Sequence, residues 1–92
     1  MTTQEKYYKY ISDLFDNSVE FERCKGKLLS LSPNDVHYAD ADKARKDAER
    51  KFLNQCKAVY DEYRATNPPT EEVKALLQVM NAFHQGHFGR TY

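Results

Sequence analysis

The fold is decided by the stretch LSPNDVHYADADKARKDAERKFLNQCKAVYDEYRAT, residues 31–66. Its apolar residues recur at steps of three and four, which places them on one side of an α-helix. This stripe is thin in its first half, where it is built of alanine, and thick in its second half; its members are Ala41, Ala44, Ala48, Phe52, Cys56, Val59 and Tyr63. We therefore expect a helix whose second half carries the main core of the protein.

Both ends of this stretch carry helix boundary signals. Ser32 and Asp35 have the spacing of a capping box, and Pro33 suits the first helical position because no hydrogen-bond donor is needed there. At the other end, Pro68 and Pro69 cannot continue a helix. The sequence predicts one long helix from Leu31 to Thr66.

Two further helices are predicted on either side. Before the long helix, apolar residues recur every seven positions at Tyr7, Leu14, Phe21 and Leu28, and Thr2 with Glu5 forms a capping box. Asp16-Asn17-Ser18 and Gly26 are weak points in this helix, and a β-hairpin over Val19–Leu31 is the alternative.

The last predicted helix follows the two prolines. Thr70 can cap it, and Gly86 is suited to the left-handed conformation that ends many helices. Its core stripe comprises Val73, Leu76, Leu77, Met80 and Phe83. The predicted fold is all-α, a small bundle of three main helices around one long central helix, in a single domain over residues 1–92.

The length of the central helix favours self-association. It would extend about 50 Å at 1.5 Å per residue, which exceeds the usual width of so small a domain. Either it breaks near Asp40, or half of it projects and meets a partner. We therefore expect a homo-oligomer.

Charge and composition exclude several classes of protein. Fourteen basic and fourteen acidic residues cancel, and they cancel within each predicted segment, so a dedicated binder of double-stranded DNA is not expected. The apolar runs are too short to cross a membrane. Cys24 and Cys56 are expected to be free, buried thiols in a cytoplasmic protein, since no signal or paired spacing accompanies them.

No pattern indicates catalysis, a cofactor or a metal. The only close histidine spacing is His84-x-x-His87, and Gly86 is expected to interrupt the helix that would hold both rings. Neither cysteine lies where a thiolate is stabilised. We expect a protein that is not an enzyme.

Tyrosine is the one residue type in clear excess. Seven tyrosines and five phenylalanines occur without any tryptophan, and three tyrosines lie within Tyr7-Tyr8-Lys9-Tyr10. These three side chains spread over more than half of a helix circumference, so one core cannot bury them all. Tyrosine is common at interfaces. Together with an aromatic and cationic tail, the cluster predicts a binding surface formed by Tyr8, Tyr10, Phe88, Arg90 and Tyr92.

The favoured function is therefore a small binding protein that acts stoichiometrically on a larger protein, as an adaptor or inhibitor. Short, charge-balanced helical chains are common among phage and mobile-element accessory proteins of the anti-defence type, although this is an association of type only. One alternative is an oligomer that sequesters a nucleotide or another small anion, with Arg90 on the phosphate. A weaker alternative is single-stranded nucleic-acid binding through the same tail.

Overall fold

The computed structural model describes residues 2–92 and consists of three α-helices, with no strand in that range. These are α1 (Thr3–Leu29), α2 (Tyr38–Ala65) and α3 (Glu71–Phe88). The predicted all-α class and small bundle are confirmed. The hairpin alternative for Val19–Leu31 is wrong, because that segment lies within α1 as far as Leu29.

Helix α1 begins as its sequence predicts. Thr2 is the N-cap, and its hydroxyl accepts a hydrogen bond of 3.1 Å from the backbone N–H of Glu5. The helix continues through both weak points, Asn17 and Gly26. Tertiary contact accounts for the first of these, since Ser18 is buried and its hydroxyl lies 2.6 Å from Nε2 of His87 in α3.

The predicted start of the long helix is wrong. Helix α2 begins at Tyr38, and the seven residues before it form turns. The carbonyl of Ser32 accepts a hydrogen bond from Asp35, and the Asp35 carboxylate accepts one of 2.8 Å from the N–H of His37. Serine, proline, asparagine and aspartate favour turns as much as helix starts, and here the chain must reverse between α1 and α2.

The later start removes the long central helix. Helix α2 has 28 residues and α1 has 27, so the two form a pair of nearly equal length. The predicted end was correct, with Thr66 as the C-cap of α2. Val36, in the turns before α2, is 85% exposed.

Helix α3 also differs from its prediction at one end. Thr70 caps it as expected, through a hydrogen bond from Val73. It does not stop at Gly86 but continues to Phe88 and ends at Gly89, whose φ of 71° is left-handed. Burial of His84, beneath the last turn, and packing of Phe88 on the core favour the extra turn.

The helices run up, down and up. A salt bridge of 2.9 Å between Lys6 and Glu62 joins the start of α1 to the end of α2. Phe88, at the end of α3, contacts Phe21 and Phe52 in the middle of the long pair. Helix α3 therefore covers only one half of the pair. The other half, which comprises the end of α1, the turns and the start of α2, extends beyond it.

The core lies where the three helices meet. Five residues of the predicted apolar stripes at its centre are at most 2% exposed, namely Leu14, Phe21, Phe52, Val59 and Leu76. Phe83, also on a predicted stripe, is only partly buried and packs at the edge of the core. Cys24 and Cys56 are free and buried, as the sequence predicts.

Candidate functional site

Helix α1 carries a second apolar stripe on its outer side. Tyr8, Ile11, Phe15 and Val19 follow one another at steps of three, four and four, so they lie on the same side of the helix. Their exposed fractions are 69%, 37%, 56% and 51%. Four large apolar side chains thus face solvent beside the buried stripe of the same helix.

Helix α3 continues this apolar surface. A shallow groove of about 200 Å³ runs between the two helices, and its lining includes Tyr8, Ile11, Ala75 and Val79. Further along, the rings of Phe15 and Phe83 meet edge to face at 6.4 Å. We call this surface the α1/α3 face; its apolar residues are Tyr8, Ile11, Phe15, Val19, Ala75, Val79 and Phe83.

The structure does not bring the five predicted site residues together. Tyr8 lies in the α1/α3 face, but Tyr10 packs partly buried between α1 and α2. Phe88 belongs to the core edge, where its ring lies 5.7 Å from that of Phe21. The predicted union of the tyrosine cluster with the tail is therefore not formed.

The tail folds back on the other side of α3. The carbonyl oxygen of Arg90 lies 2.6 Å from Nδ1 of His84, and the backbone N–H of Tyr92 donates a 2.9 Å hydrogen bond to Asn81. The Tyr92 ring also lies 5.7 Å from that of Tyr60 in α2. Arg90 and Tyr92 are thus tied to α2 and α3, away from Tyr8.

Sequence reasoning missed Ile11, Phe15 and Val19. Their spacing is visible in the sequence, but the apolar stripe predicted for this helix contains only Tyr7, Leu14, Phe21 and Leu28. A second apolar stripe can be recognised from sequence, because the apolar residues then cover a wider arc of the helix than packing against one core requires. Which part of that arc remains open depends on where α3 packs.

Ser18, Glu22 and His87 form a polar cluster between α1 and the end of α3. The His87 side chain is 3% exposed, with its Nε2 on the Ser18 hydroxyl and its Nδ1 2.9 Å from a Glu22 carboxylate oxygen. Despite this short distance, Nδ1 has no hydrogen-bond partner among residues 2–92. Burial lowers the pKa of His87, and the nearby Glu22 only partly opposes this.

Serine, histidine and carboxylate in series also occur in hydrolases, but the setting here differs. Ser18 lies in the middle of α1, where the neighbouring backbone N–H groups are engaged within the helix. They offer no oxyanion hole, which acyl transfer requires. The geometry instead suits a polar contact that positions the last turn of α3 against α1.

Acidification is expected to destabilise the protein through His87. An unfolded histidine has a pKa near 6.5, and burial lowers the pKa in the folded state. The unfolded chain therefore binds the proton first, and stability falls as the pH drops through about 6.5 towards the folded-state pKa. Urea unfolding at pH 7.5 and 5.5 should show this loss. His87→Gln should reduce the pH dependence of the free energy of unfolding, whereas His37→Gln, at an exposed position, should not. If the free energy of unfolding changes equally with pH in the parent and in both variants, His87 is not the group responsible.

The cysteines are poorly suited to nucleophilic chemistry. Burial raises the pKa of the Cys56 thiol to about 12. Burial and the adjacent Glu20 carboxylate also raise the pKa of Cys24. Both remain protonated at neutral pH, when a thiolate would be the reactive form.

Within residues 2–92, no group of three or more histidine, cysteine or acidic side chains is placed to hold a metal ion. None of the described helices is long and apolar enough to cross a membrane. Comparison with family models, curated proteins and solved structures found no match to this chain. The class that can be stated is that of small all-α three-helix bundles.

Proposed function

We propose that this chain is a small, non-enzymatic binding protein that acts stoichiometrically on a larger protein, as an adaptor or inhibitor. The observation that supports this is the α1/α3 face. Exposed apolar residues scattered singly need no explanation, whereas a contiguous apolar surface is typical of an interaction site.

The shape of the face favours a helical segment of the partner. Two helices with a groove between them offer a seat for a third, whose side chains at i, i+3, i+4 and i+7 fill the depressions. Tyr8 and Phe15 provide the large, rigid contact area that dominates many interfaces. Removing such surface from water contributes about 25 cal/mol per Å² before the costs of association.

The alternative of nucleotide sequestration has less support. It requires a tyrosine or phenylalanine that stacks on the base while Arg90 holds the phosphate, and Phe88 is the phenylalanine nearest to Arg90 in the chain. Phe88 packs against the core instead, between the rings of Phe21 and His84. It is not free to stack on a ligand while α3 is in place.

Two matched valine variants test the proposal. Val19→Glu places a charge in the α1/α3 face, and Val36→Glu places the same charge in the exposed turns before α2. Tagged proteins are incubated with an extract of the native host, and the captured partners are identified. Native mass spectrometry then measures the mass of each intact complex and hence its stoichiometry. We expect a partner at a fixed ratio with the parent protein and with Val36→Glu, and at least tenfold less with Val19→Glu. Equal capture by both variants would show that the face is not the binding site.

A further inference from the structure

The chemistry of the α1/α3 face defines its partner more closely. Resting on the function proposed above, we propose that the face binds an amphipathic helix whose apolar side is flanked by lysine or arginine. The apolar residues explain why a helix would bind. The charges around them determine which helix.

Carboxylates border the face on both helices. Of the described residues that line the groove, Glu72 is the only charged one. On α1, Glu5 precedes Tyr8 by three positions and Asp16 precedes Val19 by three, so these two lie beside the exposed stripe. All three are exposed, and none forms a salt bridge with another of the residues 2–92.

The nearby lysines are engaged elsewhere. Lys6 pairs with Glu62 of α2 at 2.9 Å, and Lys9 pairs with Asp13 at 3.4 Å; both line the groove between α1 and α2. On α3, Lys74 pairs with Glu71 at 3.3 Å. A chain with no net charge thus has an acidic border around the α1/α3 face.

This charge pattern disfavours other occupants. A second copy docked symmetrically through the same face would bring like carboxylates together. Phosphate groups of nucleic acid or of anionic lipid would meet the same repulsion. A basic border on a partner helix is attracted instead. The stripe from Tyr8 to Val19 extends about 16 Å at 1.5 Å per residue, which matches three turns of such a helix.

Two designed peptides test the inference directly. Both are 18-residue helices with leucine at i, i+3, i+4, i+7 and i+11; one has lysine at the flanking positions and the other has glutamate. Binding is measured by fluorescence anisotropy at 50 mM and 500 mM salt. We expect the lysine peptide to bind at least tenfold more tightly at low salt, with the difference reduced at high salt.

Charge variants locate the effect on the face. Glu5→Gln with Glu72→Gln should remove most of the preference for the lysine peptide. Asp47→Asn with Asp61→Asn makes the same change in net charge on α2, where both carboxylates pair within their own helix, and should leave the preference unchanged. Equal effects of the two double variants would overturn the inference, since attraction would then be non-specific.

The remaining outcomes separate this inference from the proposed function. If both peptides bind equally, or neither binds, while capture of the host partner is still lost in Val19→Glu, the basic-helix inference is wrong and the proposed function stands. If capture is insensitive to Val19→Glu, both fail. If sedimentation shows a dimer that Val19→Glu dissociates, the face binds a second copy and the inference is overturned.

Discussion

Replacing Phe52 by alanine is expected to lower the free energy of unfolding by about 3–5 kcal/mol. Phe52 is fully buried and lies where all three helices meet. Its ring contacts Phe21 of α1 at 6.2 Å and His87 of α3 at 4.8 Å between centroids. The cavity left by its removal would weaken both helix contacts at once. For a domain of this size the loss would be a large fraction of the total stability.

Phe15→Ala is the matched control for this experiment. Phe15 is 56% exposed, and its ring packs edge to face against Phe83 at the edge of the core. Its removal should cost about 1 kcal/mol or less, since little buried surface is lost. Urea denaturation followed by circular dichroism measures both variants. A loss below about 1 kcal/mol for Phe52→Ala, or equal losses for the two, would contradict the packing described here.

The second large effect is expected from glutamate at Ala48. This residue is 5% exposed and belongs to the core cluster, so the substitution would bury an unpaired carboxylate. Leaving a buried charge without a partner costs about 3–5 kcal/mol or more. Ala48→Glu should therefore unfold much of the protein at 25 °C, as measured by loss of the helical circular dichroism signal.

Ala44→Glu is the control and also tests self-association. Ala44 is exposed and lies in the half of the α1–α2 pair that extends beyond α3. It lines a shallow depression there together with Leu31 and His37. Its variant should keep the fold. If the half of the α1–α2 pair that extends beyond α3 is the seam of the homo-oligomer that the sequence predicts, the parent protein should sediment above 10.8 kDa and Ala44→Glu should dissociate it. A parent that sediments as a clean monomer at micromolar concentration would rule out the oligomer. Unfolding of Ala44→Glu would instead contradict the exposed placement of Ala44.

The correct and incorrect helix boundaries have a common physical cause. Thr2, Thr70 and Pro68 act through neighbours in the chain, and each lies where the sequence predicts a boundary. Ser32 and Gly86 carry boundary signals of the same kind, but the predicted boundaries there are wrong. The local sequence at residues 32–35 fits a turn as well as a helix start, and Gly86 fits a continued helix as well as a helix end. The turn is favoured by the chain reversal before α2, and the continued helix by the burial and packing of His84 and Phe88 in α3.

The sequence by itself determined the all-α class, the three helices and most of the core, since amphipathic spacing at 3.6 residues per turn leaves few alternatives. It also determined that tyrosine would be in excess of what one core can bury. Only the tertiary structure decided which apolar residues stay in water. Helix α3 packs beside the outer stripe of α1 and does not cover it, so its position brings Phe88 onto the core, ties down Tyr92 and leaves Tyr8, Phe15 and Val19 exposed. No local pattern encodes that outcome, because it depends on contacts between residues far apart in the chain.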